Sequence, residues 1–212
     1  VISDLEELMA GLLAQDLARA GEAVTLGGSQ VLLLDQPEWA YFVAEGHVEV
    51  FTATLRDGRP LGARQHFVTV SAGQLFFGLP GGVVGDAGFL ATGKAGTHVR
   101  RLPRADLARR AADARARPHL VALVEQWLLA LEARLTREVF PRPECPVRLT
   151  PGAPARLAPG QRACGEPGLA WLPPGGGSLL YVDMQPLDER PAAFPLGPRG
   201  WVERPGTESA EL

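Results

Sequence analysis

The stretch WAYFVAEGHVEVFTATLRDGRPLGARQHFVTVSAGQLFFGL, residues 39–79, is a run of short apolar segments separated by turn residues. Val48, Val50, Thr52 and Thr54 alternate with Glu49, Phe51, Ala53 and Leu55, the period-two pattern of a strand. RDGRP (56–60) then turns the chain, with Asp57-Gly58 as a hairpin signal. LGARQHFVTV (61–70) reads as the returning strand and GQLFFGL (73–79) as the next one. Upstream, QVLLLD (30–35) has the same character. Downstream, GTHVRRL (96–102) reads as a last strand beyond a glycine-rich loop. Many short strands at close spacing predict an antiparallel sandwich or roll over residues 22–102.

Helical periodicity flanks this β region. Residues 1–21 form an N-terminal helical segment, in which Ser3 and Glu6 make a capping box and Leu5, Leu8, Met9, Leu12 and Leu13 make one apolar stripe. Pro103 opens a helix over 104–117, which Pro118 is expected to break. A stronger helix follows over 119–140, completing a helical hinge (103–140). Leu120, Val124, Leu128, Leu131, Leu135 and Val139 share a face of it, and Trp127 widens the apolar arc. Val124, Trp127, Leu128, Leu131 and Leu135 are therefore candidate contacts for a second chain, as in a homodimer. PRPECP (141–146) marks a boundary. A proline- and glycine-dense second β unit runs from 141 to 204, and the polar end, 205–212, reads as disordered.

Composition limits the function classes. The chain has 212 residues, is 46% hydrophobic, and carries a net charge of −3 with pI about 5.8. An acidic balance argues against a nucleic-acid partner. Lys94 is the single lysine. Cys145 and Cys164 are far apart in sequence and lack metal-type spacing, so a disulfide is not expected and a reducing cytoplasm is the default. No apolar run reaches membrane-spanning length, and no secretory pattern opens the chain. The start at Val1 reads as an excised piece or a processed end.

The segments AEGHVEVF (44–51) and VSAGQLFFG (70–78), followed by a hinge and two helices, resemble the cyclic-nucleotide-binding-like β-roll. The fold class this implies is mainly β with helices: a double-stranded β-helix, hinge helices, and the second small β unit. In that family glycines fall at Gly46 and Gly73, and a phosphate cassette begins at Phe77-Gly78. The resemblance makes Phe77, Gly78, Leu79, Gly81, Gly82 and Lys94 the candidate ligand-binding residues. Family members that bind nucleotide continue with a Glu for the ribose, where this chain has Leu79. They also carry an Arg for the phosphate, and 81–97 contains none. Lys94 is the cation in that stretch and lacks the planar fork of a guanidinium.

Residues 31–80, with AWLPPGGGSLLYVDMQPL (170–187) and FPLGPRGWVE (194–203), also resemble the cytosolic N-terminal region of ABC transporter permease/ATPase subunits. These subunits accompany nitrile-hydratase-leader-type, bacteriocin-like peptides. That resemblance implies a regulatory, assembly or cargo-recruitment region that no longer binds cyclic nucleotide. Its partners would be the membrane and ATPase domains of the same polypeptide and a peptide cargo or leader, at the cytoplasmic face of the inner membrane. ATP hydrolysis would lie outside these residues. The alternative is a small-molecule sensor that binds a cyclic nucleotide or another anion in the roll.

No other motif carries chemistry. GFLATGKAGT (88–97) spaces Gly88, Gly93 and Lys94 like a P-loop, but Ala95 stands where Mg²⁺ needs Ser or Thr, and a strand follows where a P-loop opens a helix. His47, His66, His98 and His119 lack the spacing of a metal set. No catalytic residue, metal or cofactor is assigned. Adjacent Phe76 and Phe77 point to opposite faces, one into the core and the other to the mouth of the roll.

Overall fold

The computed structural model describes residues 2–27, 30–56, 58–79, 87–174, 178–187, 192–206 and 210–211, without the side chains of 2–5 and 210–211. The chain divides into two compact units, Val1–Trp127 and Leu128–Leu212.

The first unit opens with α1 (Ile2–Arg19). Eight strands follow: β1 (Glu22–Thr25), β2 (Leu32–Leu33), β3 (Trp39–Glu45), β4 (His47–Arg56), β5 (Arg59–Ser71), β6 (Leu75–Phe77), β7 (Ala87–Gly93) and β8 (His98–Pro103). They pair antiparallel into two four-stranded sheets, ordered β1-β8-β3-β6 and β2-β7-β4-β5. This alternation of strands between sheets is the jelly-roll arrangement. The mainly β roll expected from the sequence is therefore the fold observed.

The continuous apolar run of β3 has a physical reason. Ala40, Tyr41, Phe42 and Val43 are all buried, so both faces of this strand are covered. Ala40 and Phe42, with Leu75 and Leu102, pack against Leu13 and Leu17 of α1 and against Leu107 and Leu120 of the later helices. Tyr41 and Val43 point the other way, with Val99, toward the second sheet. Gly46 joins β3 to β4 at φ 77°, and a Cβ there would sit 2.8 Å from Thr97 Oγ1. That hydroxyl donates to the His47 carbonyl at 3.0 Å, tying the β7–β8 turn to the β3–β4 turn.

The β4–β5 hairpin is longer than the sequence pattern suggests and is not regular. Its register shifts between Val50 and Phe51 and again between Thr52 and Thr54, while β4 stays in register with β7. The irregularity therefore belongs to β5, and it carries Phe67 edge-on against Phe89 at 5.1 Å. Asp57 lies outside the described residues, and Gly58 takes φ 71°.

The hinge differs from expectation at Pro118. α2 (Arg104–Ala111) ends early, and α3 (Arg117–Leu135) begins one residue before the proline. Proline in a first helical turn loses no hydrogen bond, so Pro118 starts a helix here and does not break one. α3 also ends five residues before Phe140.

The second unit contains β9 (Val147–Leu149), β10 (Arg156–Leu157), β11 (Arg162–Gly165), β12 (Ala170–Leu172), β13 (Leu180–Tyr181), β14 (Gln185–Pro186), β15 (Phe194–Leu196), β16 (Val202–Glu203) and β17 (Ala210–Glu211). Five form one sheet, β14-β13-β16-β11-β9, and β10-β17 and β12-β15 pair separately. Leu149, Leu157, Ala163, Leu172, Leu179, Leu196 and Val202 fill its core. Here the structure corrects the cysteine reading: Cys145 and Cys164 are joined in a disulfide, with Cα atoms 5.8 Å apart. β9 lies parallel to β11 with Val147 beside Ala163, so the pairing cancels a sequence separation of 19 residues.

Candidate functional site

The resemblance points to the end of β6. Gly78 is buried, and a Cβ on it would lie 1.9 Å from the Gln36 carbonyl oxygen, so only glycine fits. Its N–H donates to the Trp39 carbonyl at 3.1 Å, and the N–H of Leu79 donates to the Leu34 carbonyl at 2.9 Å. Both donors are thus committed to the backbone and not free for an anion. Phe77 packs on the helix-facing cluster with Ala40 and Phe42, and the Arg104 guanidinium sits 6.0 Å from its ring centroid. Phe76, its neighbour, is fully buried and stacks on Tyr41 at 4.9 Å. Gly81 and Gly82 lie outside the described residues.

Lys94 is not brought to this end. It is exposed in the turn between β7 and β8. Phe77 pairs with Ala40, at the start of β3, whereas His98, just beyond the Lys94 turn, pairs with Glu45 at its end. Five residues of strand amount to about 17 Å.

A residue outside these motifs stands closer. Arg101 on β8 pairs in register with Tyr41 and Glu22, so its side chain shares a sheet face with both. Its guanidinium lies 4.5 Å from the Trp39 ring centroid and ion-pairs with Glu22. Its Nε is buried and has no hydrogen-bond partner among the described residues. Burial is the main cause holding the Tyr41 hydroxyl above its ordinary pKa; Arg101 opposes it, and Asp35 and Glu38 add to it. Aromatic packing continues from Phe76 to Trp127 on α3, centroids 6.4 Å apart. The signal for Arg101 was the two-residue period of GTHVRRL, which separates Arg100 from Arg101. Arg100 instead donates through Nε to the Ala18 carbonyl at 2.8 Å.

The other candidates are dispersed. Trp127 is buried, Val124, Leu128 and Leu131 are half-buried, and Leu135 is 59% exposed. His66 Nε2 meets Glu49 Oε2 at 2.6 Å and Thr69 Oγ1 donates to the same oxygen at 2.8 Å; His47 approaches Glu49 at 3.8 Å. Among the described residues no group of three His, Cys, Asp or Glu is arranged to hold a metal. A buried carboxylate that the sequence did not flag, Glu132 on α3, accepts from the N–H of Gly197 at 2.7 Å and of Arg199 at 3.1 Å.

No family model and no curated protein matches this chain. Solved structures that it is similar to include oxidised CprK in complex with o-chlorophenolacetic acid, at 14% identity and TM-score 0.43, covering 59% of this chain and 49% of that one. The CO-dependent transcription factor CooA from Carboxydothermus hydrogenoformans matches at 14% identity and TM-score 0.38, over 58% of this chain and 50% of its own. The c-di-GMP responsive global regulator CLP of Xanthomonas campestris matches at 12% identity and TM-score 0.43, over 62% and 66%. The chain thus spans about half the length of these CprK and CooA chains. At these identities the likeness concerns fold alone and assigns no ligand.

These findings correct two expectations. The reading as part of a peptide exporter, together with its membrane, ATPase and cargo partners, is overturned: the neighbours include a protein named as a transcription factor and one named as a global regulator, and none of those reported is a transporter region. The exclusion of nucleic acid, which rested on net charge alone, is not supported either. Among the described residues, no helix is long and apolar enough to cross a membrane.

Proposed function

We propose that this chain is a small-molecule sensor whose ligand, a cyclic nucleotide or another small anion, binds in the β-roll. One observation carries the reading. Arg101 presents a buried guanidinium nitrogen that has no acceptor among the described residues, against the Trp39 ring and in register with Tyr41. A buried donor left unpaired costs about 1–3 kcal/mol, and a ligand oxygen there would recover that cost. The planar Arg101 guanidinium, which Lys94 lacks, already spends Nη2 on Glu22, so the ligand's anion is met by Nε. With Leu79 where a ribose-binding carboxylate would stand, such a ligand is anchored by its anion and by ring stacking. The stack Tyr41–Phe76–Trp127 gives its arrival a route to α3.

Calorimetry with cyclic AMP, cyclic GMP and an aromatic carboxylate tests this. Micromolar binding by one of them is expected, weakened about tenfold or more in Arg101→Gln and unchanged in Lys94→Ala. Silence across all three ligands, or affinity indifferent to Arg101→Gln, would overturn it.

A further inference from the structure

Strand parity separates two faces of the five-stranded sheet in the second unit. Val147, Ala163 and Val202 face the main core. Arg148, Cys164 and Trp201 alternate with them and therefore face the other way. On that side Cys164 and Trp201 cluster with Cys145 and Val139. Beside this cluster opens a cavity of about 550 Å³, lined by Arg142, Cys145, Arg148, Cys164, Arg199 and Trp201. The volume falls in the range of small-molecule sites.

The chemistry of the lining is one-sided. Among the described residues, Arg142, Arg148 and Arg199 make no ion pair. Among the described residues, Glu144 is the single carboxylate on the wall. In a chain of net charge −3, three exposed arginines lining one cavity bias its local field positive, the Arg142 guanidinium lying 6.0 Å from the Phe140 ring centroid. The frame is also fixed. Trp201 Nε1 donates to Asp183 Oδ1 at 2.9 Å, and the backbone of Arg199 is held by Glu132. The disulfide ties the 142–148 segment, which carries two of the arginines, to β11.

We propose that this cavity binds a small anion bearing phosphate or carboxylate groups, gripped by Arg142, Arg148 and Arg199, with the Cys145–Cys164 bond holding its walls together. Planar guanidiniums match both anion types bidentately. A dithiol would release the wall: two electrons and two protons pass to the cystine, leaving two protein thiols and an oxidised dithiol. The site lies in the second unit and stands or falls independently of the roll.

The test is calorimetry on the oxidised full chain with pyrophosphate and, separately, with citrate. Binding with a dissociation constant below about 1 mM is expected for at least one. Pyrophosphate alone identifies phosphate as the recognised group, citrate alone carboxylate, and both the shared chemistry. The Arg148→Gln/Arg199→Gln double variant is expected to weaken binding about tenfold or more, and Arg148→Lys less. Arg64→Gln, an exposed change on β5, should leave binding unchanged, and Cys145→Ser/Cys164→Ser should weaken it. Circular dichroism establishes that each variant is folded. No binding of either anion, or equal binding by the folded double-arginine variant, overturns the site. Native affinity in the folded double-cysteine variant overturns the role of the bond.

Discussion

Glu132 is 6% exposed, and its two oxygens accept backbone N–H groups from Gly197 and Arg199. The glycines of this loop have a reason in the same contact. A Cβ on Gly197 or Gly200 would come within 2.3 or 2.6 Å of a Glu132 oxygen. Glu132→Ala leaves two donors without their acceptor and is expected to lower stability by about 2–4 kcal/mol in urea denaturation. Glu132→Gln keeps one carbonyl oxygen and should lose clearly less; a Glu132→Ala variant as stable as the native chain would show that the carboxylate's acceptors do not matter. Tyr181 lies against the same loop. Burial first, and the Glu132 charge second, raise its pKa well above the ordinary tyrosine value of 10. Above pH 10 the unfolded chain therefore releases a proton that the folded chain keeps, so stability is intact below that pH and falls as pH rises past it. Tyr181→Phe should flatten the alkaline part of the stability profile. Some decline should persist, because Tyr41 is raised as well.

At the level of elements, the parallel β9–β11 pairing and the disulfide act together. β9 has three residues, too short to hold its place by ladder bonds alone, and the covalent link two residues before it fixes its register. Cross-linking across 19 residues restricts the unfolded chain, and Cys145→Ser is expected to cost about 2–4 kcal/mol. Denaturant unfolding of the variant and of the native chain, with and without dithiothreitol, checks this. The reductant should bring the native chain toward the variant and leave the variant unmoved. The elements also show where local rules compete. Pro118 carries both a breaker reading and a helix-start reading, and which one holds depends on where the preceding helix stops. That point is set by the turn at 112–116, where the N–H of Arg117 reaches the Asp113 carbonyl.

On the scale of the whole molecule, each unit has its own core. Leu17, Phe42, Leu75 and Leu102 centre that of the first, and Leu157, Leu179, Leu196 and Val202 that of the second. The roll was legible because its signal is local. Alternation in residues 47–55, a hairpin turn at Gly58 and an apolar run in β3 each report the environment of a few neighbouring residues. The candidate sites were much less so. Phe77 and Gly78 adjoin in sequence, yet one packs on the helices and the other is closed off by Gln36. Lys94, chosen for its charge, sits at the far end of β3 from them, whereas Arg101, in the next strand, lies on the same face as Tyr41.

Sequence alone determined the strand periods, the hairpin, the three-helix content and the mainly β class, because each depends on side-chain spacing within one segment. Tertiary structure alone decided that Arg101 meets Trp39, that Cys145 joins Cys164, and that Arg142, Arg148 and Arg199 share a cavity. Those meetings follow from how strands distant in sequence pair and which face each presents, and a one-residue change of register would undo them all.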